Sequence, residues 1–317
     1  MFIKPLLFTG ILLLCLSGPA AAAAQTDDET PIKVNTLLAN IPVIVSDKQG
    51  RHVAGLRPED FTVTSGGVPN EIVYFSDARM PLSVAIVLDE TGSVRGVLAG
   101  IKKAAKQFID GLGPEDQCMV VTFGEKVRIR QPLTSDKEKA KSSISGIGGI
   151  SGGIGLMNRA MMDVLLEQFA GVKGRKAIIV LTDAGEIATQ MNRSMLDELI
   201  EGDTVVYPIF YPTTMFGLKS RKATLRELIS KTPVGTLADM ADYSGGRLLV
   251  ANGDDFVPQF QAITDELKKM YVIGIYPQES TDGKPNNIDL KLVRTDLVLR
   301  TKAAIRPRTQ LKPGVRN

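Results

Sequence analysis

Two short runs constrain this chain more than anything else in it. Residues 82–88 (Leu-Ser-Val-Ala-Ile-Val-Leu) are almost continuously apolar and stop on Asp89; residues 176–181 (Lys-Ala-Ile-Ile-Val-Leu) do the same before Thr182-Asp183. A strand with one wet face alternates apolar and polar residues. A run without alternation needs cover on both faces, as a parallel strand between two helix layers has. From residue 94 to 112 apolar residues return at helical spacing (Val97, Leu98, Ile101, Ala104, Ala105, Phe108, Ile109, Leu112), and Gly113-Pro114 ends the pattern. Further strands are expected at 117–123, 127–131, 204–210 and 247–250, with helices near 135–145, 156–169, 194–201, 225–243 and 256–270. Such alternation predicts an α/β fold: a doubly wound, mostly parallel sheet with helices on both faces.

The flanks follow another rule. Ile41, Val43 and Val45 stand at alternate positions before the turn Asp47-Lys48-Gln49-Gly50; Phe61, Val63 and Ser65 alternate before Gly66-Gly67; Ile72-Val73-Tyr74-Phe75 follows. Strand signals resume at 271–276, 288–293 (joined through Asp282-Gly283) and 298–304. Two β pieces of roughly 40 residues would each be marginal alone. They are therefore expected to pack as one small antiparallel β-sandwich, formed by 33–80 and 271–306, into which an α/β domain at 81–270 is inserted. Residues 307–317 read as a flexible tail.

Met1 to Lys4 followed by an apolar run to Ser17, Pro19 and small residues at Ala22 and Ala24 have the form of a signal peptide. Cleavage is expected after Ala24, giving a periplasmic or secreted protein with no membrane span after cleavage and a polar tether at 25–32. Cys15 would leave with the leader, so Cys118 would be the only thiol and no intrachain disulfide could form. Cys118 lies in an apolar strand and reads as packed and inert. The formal net charge of +3 is too balanced for a nucleic-acid binder. One histidine, His52, leaves no histidine-rich zinc site, and it reads as a solvated residue beside a turn.

Ligands of parallel α/β sheets bind outside the carboxyl ends of the strands. That rule selects Asp89-Glu90-Thr91-Gly92-Ser93 and Thr182-Asp183. Carboxylate and hydroxyl oxygens gathered at one rim suit a hard cation such as Mg²⁺. Here the chain resembles a von Willebrand factor type A domain. The resemblance rests on Asp-x-Thr-x-Ser after Val-Ala-Ile-Val-Leu, on Lys102 to Phe108, on Asp116 to Phe123, and on Lys176 to Asp183. Residues 55–61 and 266–277 are similar to the flanks of a bacterial exported subgroup of that family.

The resemblance implies a non-enzymatic protein-binding module with a metal-ion-dependent adhesion site. Asp89, Thr91, Ser93 and Asp183 would hold Mg²⁺ or Mn²⁺, and an acidic side chain of a protein partner would complete the coordination. The family's second-loop threonine falls on Ile154 after Gly152-Gly153, so one ligand is missing; Ser151 is nearby, and Glu90 and Glu186 are candidate outer carboxylates. Two alternatives stand beside it. In one, Asp89, Thr91 and Ser93 merely cap the following helix of a metal-free scaffold. In the other, Asp89 is the nucleophile of a haloacid dehalogenase-like phosphatase, with Gly253-Asp254-Asp255 holding Mg²⁺. The glycine-rich segment 146–155 lacks a Gly-Lys-Ser/Thr ending and reads as a loop at the rim. Met157, Met161 and Met162 read as core, and 207–216 as part strand, part exposed contact loop.

Overall fold

The computed structural model describes residues 38–76, 80–148, 156–185, 191, 193–212, 234–277, 286–302 and 304–305. The expected leader, tether and tail, the Asp282-Gly283 turn, and Ser151, Ile154 and Glu186 lie outside these residues, as does 213–216. Fourteen strands are found among the described residues, in three sheets.

In chain order the first four are β1 (Ala39–Asp47), β2 (Phe61–Ser65), β3 (Val68–Asn70) and β4 (Tyr74–Ser76). The central sheet is built from β5 (Leu82–Asp89), β6 (Gln117–Phe123), β7 (Arg128–Thr134), β8 (Arg175–Thr182), β9 (Thr204–Phe210) and β10 (Leu249–Val250), in the order β10-β9-β8-β5-β6-β7. All eight residues of β5 and all seven of β9 are buried, as runs without alternation require. Every neighbouring pair is parallel except β6–β7, which is antiparallel. The reason is connection length. Only Gly124 to Val127 separates the two strands, and a parallel return needs a crossover of about a dozen residues.

The helices are α1 (Leu98–Asp110), α2 (Lys137–Ser145), α3 (Met157–Met162), α4 (Arg193–Glu201), α5 (Val234–Ser244) and α6 (Val257–Leu267). One face of the sheet packs against α1, α2 and α6 through Ile101, Phe108, Ala140 and Phe260. The other packs against α3, α4 and α5 through Met157, Met161, Met195 and Leu237. The expected helix from residue 94 divides in two: a 3₁₀ turn at Gly92–Gly96, then α1. Gly92 and Gly96 weaken helical continuity there. The helix expected at 156–169 changes to π geometry over Asp163–Gln168. Cys118 is buried, and loss of hydration pushes its thiol up to about 12, which fits an inert, packed group.

Strands from both flanks share sheets. β1 lies between β11 (Tyr271–Ile275) and β13 (Leu297–Thr301), with β4 on the far side of β11. The second sheet runs β14-β12-β2-β3, where β12 is Asn286–Leu292 and β14 is Ala304–Ile305. Ile41, Val43, Val45, Phe61, Val63, Ile273 and Leu290 fill the core between them. Ile44, on the other face of β1, belongs instead to the core beneath α1 and α6.

Buried cations tie these layers together. Lys302, 1% exposed, donates to Ile200 O (2.9 Å) and Gly202 O (2.6 Å), carbonyls that end α4 without an intrahelical donor. Arg175 donates to Met80 O at 2.7 Å and to Leu267 O at the end of α6. Glu266 of α6, 2% exposed, pairs with Arg247 at 2.5 Å and with Arg300 of β13. His52 is not the solvated residue expected. It forms an isolated bridge with Ser46 and is half-buried, its Nδ1 enclosed, within the field of Glu266, Lys269, Arg247 and Arg300. Among the described residues no helix is long and apolar enough to cross a membrane.

Candidate functional site

The strand order changes direction beside β5. The chain moves from β5 to β6 on one side, then returns to β8 on the other, and such switch points leave a crevice at the carboxyl ends. Parallel register pairs Leu88 with Leu181, so Asp89 and Thr182-Asp183 emerge side by side at that crevice. Asp89 and Asp183 are each 1% exposed. Asp89 Oδ1 accepts the Thr91 N–H at 2.6 Å, and its Oδ2 accepts the Tyr211 hydroxyl at 3.2 Å. The hydroxyls of Thr91 and Ser93 are 2.9 Å apart. Thr91, at the N-cap of the following 3₁₀ turn, makes no side-chain cap, so its hydroxyl is not used in that way.

Beyond β8, Thr182 Oγ1 accepts the Ala184 N–H and Asp183 Oδ1 accepts the Gly185 N–H, each at 3.0 Å. Ala184 has φ +63°, a left-handed conformation uncommon for a residue with a Cβ. Burial raises the Asp89 carboxyl above its ordinary range, opposed by hydrogen bonds from Thr91 and Tyr211 and reinforced by the Asp183 charge. That repulsion links the two strand ends, and a cation between them would relieve it.

Two expectations change on this geometry. Glu90 was expected as an outer carboxylate of the site. It is instead 3% exposed and committed to two arginines of the edge strand, Arg128 at 3.2 Å and Arg130. Alternation along β5 and its continuation turns successive side chains to opposite faces, which directs Glu90 away from the Asp89 side. Tyr211 was expected in an exposed loop; it is 1% exposed and reaches into the site. The segment behind the phosphatase alternative serves the fold. Asp255 accepts the Val257 N–H at the start of α6, and the Asp254 backbone packs against Gly100 of α1.

Residues 84–186 match the family model of the von Willebrand factor type A domain. This segment is a von Willebrand factor type A domain. No curated protein matches the chain. The solved structures to which the chain is similar include the following three. A von Willebrand factor type A protein from Catenulispora acidiphila is 13% identical over 86% of this chain and 75% of its own, with a TM-score of 0.48. BatB from Bacteroides thetaiotaomicron is 18% identical over 59% of this chain and 97% of its own, at 0.44. Proximal thread matrix protein 1 from the mussel byssus, described with a zinc occupied MIDAS motif, is 20% identical over 63% of this chain and 48% of its own, at 0.45.

The donor set of this von Willebrand factor type A domain fits a small hard cation. It consists of oxygen alone, with two buried carboxylates that repel one another and two hydroxyls held within hydrogen-bond distance. It does not fit a softer, nitrogen- or sulfur-seeking ion. Among the described residues no group of three or more His, Cys, Asp or Glu side chains is arranged to hold a metal ion. Tyr211 carries no motif that marks it as a site residue, although the rule that selects Asp89 and Asp183 also points to the residue after Phe210, the end of β9.

Proposed function

We propose that this chain is an exported, non-enzymatic protein-binding protein that holds Mg²⁺ or Mn²⁺ through Asp89, Thr91, Ser93 and Asp183. A cation there would supply an electrophilic centre with a position left for the acidic side chain of a protein partner. The single observation that supports this most is the meeting of the Asp89-Thr91-Ser93 loop with Asp183 at the switch point, two buried carboxylates, with no basic side chain among the described residues bonded to Asp89. The export reading rests on the signal-like segment at 1–24.

Thermal melting of the purified protein during titration with Mg²⁺ and Mn²⁺ tests the reading. A ligand at ten times its Kd stabilises by about 1.4 kcal/mol, enough to move Tm by a few degrees. The wild type should shift and Asp89→Ala should not. No shift in the wild type, or equal shifts in both, would remove the metal from the proposal. Ile154, where the family's threonine ligand belongs, favours a second reading in which the same surface contacts a partner without any ion. Capture from envelope extract should then be insensitive to chelator, whereas the metal reading requires the chelator to abolish it.

A further inference from the structure

Tyr211 has no part in the ligand set just proposed, yet its hydroxyl lies 3.2 Å from Asp89 Oδ2. Its position is fixed from several sides. The backbone N–H donates to Thr182 O at 3.2 Å, next to Asp183, and the preceding carbonyl of Phe210 accepts from Ala251 N at 2.8 Å. The ring stands edge-on to buried Phe256, with centroids 5.7 Å apart and planes at 79°. A ring so enclosed holds its hydroxyl in place. The bond it gives to a carboxylate is charge-assisted and stronger than one between neutral groups.

Asp89 needs such a bond most when no cation is present. Its carboxylate has lost water and faces the Asp183 charge. The Thr91 N–H serves Oδ1, and the phenol serves Oδ2. A cation that draws electron density from Asp89 weakens it as an acceptor, so the phenol's contribution is larger in the metal-free state than in the loaded one. Coupling of this kind has a fixed sign: a contact that favours the empty state lowers affinity for the ion. We infer that Tyr211 is a positioning residue that latches Asp89 in the metal-free state and sets the cation concentration at which the site fills. The inference rests on the proposed metal reading of Asp89 and Asp183.

Calorimetric titration with Mg²⁺ and with Mn²⁺ on wild type and Tyr211→Phe tests it, since phenylalanine keeps the ring against Phe256 and removes only the hydroxyl. The expected result is tighter binding by the variant, by roughly tenfold, with a lower Tm in the absence of metal. Equal affinities, or weaker binding by the variant, would overturn the latch while leaving the metal site intact. No binding by either protein would overturn the metal reading and the latch with it. A second measurement covers a variant that fails to fold. The chain has six tyrosines and no tryptophan, so the long-wavelength edge of its near-ultraviolet absorption, beyond the phenylalanine bands, reports tyrosine. Mg²⁺ should produce a tyrosine difference spectrum in the wild type as the Tyr211 hydrogen bond weakens. Binding without such a spectrum would count against the latch.

Discussion

His52 is the chain's single imidazole, which makes its titration separable from everything else. Burial lowers it from the ordinary 6.5; Lys269, Arg247 and Arg300 push the same way, and Glu266 partly offsets them. The unfolded chain therefore takes up a proton near pH 6.5 before the folded one does, and stability falls as pH drops through that region. The His52→Gln protein should lack this slope in denaturant midpoints between about pH 7 and 5, and the lone imidazole resonance of the wild type should titrate below 6.5. Cys118 offers a companion check. Its thiol, pushed up to about 12, should stay unreactive toward a disulfide reagent at pH 8 in a Cys15→Ser protein and react only once the chain is unfolded. At this scale the sequence was informative where chemistry is local. Asp89, Thr91 and Ser93 share one loop, and Cys118 sits in an apolar strand. His52, Glu90 and Tyr211 were misplaced because their surroundings come from residues distant in the chain: Glu266, Arg128 and Arg130, and Asp89 respectively.

Between elements, two glycines beside α1 separate conformational from steric roles. A Cβ on Gly100 would sit 1.7 Å from the Asp254 carbonyl oxygen, so the loop before α6 touches the α1 backbone itself. Gly96, one turn earlier, faces open space. Gly100→Ala should therefore cost about 1–3 kcal/mol through overpacking, and Gly96→Ala should be neutral or stabilising by about 0.4–1 kcal/mol, compared by urea unfolding. Strand identities were legible because the apolar runs of β5, β8 and β9 leave no other use for them. The antiparallel β7 was legible in principle, from the short link to β6, but alternation alone does not display it. The close approach at Gly100 was not legible, because glycine spacing carries no record of what lies across it.

For the molecule as a whole, the joints are ionic. Glu266 holds Arg247 and, through Arg300, β13; removing the carboxylate leaves two guanidinium groups without their anion. The Glu266→Ala protein should lose about 1–3 kcal/mol by chemical denaturation, since both arginines keep contact with water. Lys302→Met should cost about 1–3 kcal/mol by leaving Ile200 O and Gly202 O without a donor. The pairing of distant β pieces was anticipated from their small size, whereas these joints were not, since a buried lysine or glutamate looks like a surface one in sequence. The place of β1 between β11 and β13 has a consequence in time. Both its neighbours are made more than 220 residues later, while β5 to β10 have their partners among themselves. A chain emerging amino end first, from a ribosome or a translocation pore, must carry Ile41, Val43 and Val45 without either strand partner, and with only part of their core, until its last stretch appears. That early strand is the natural substrate for a holding chaperone, and a stalled or truncated chain is most prone to aggregate through it.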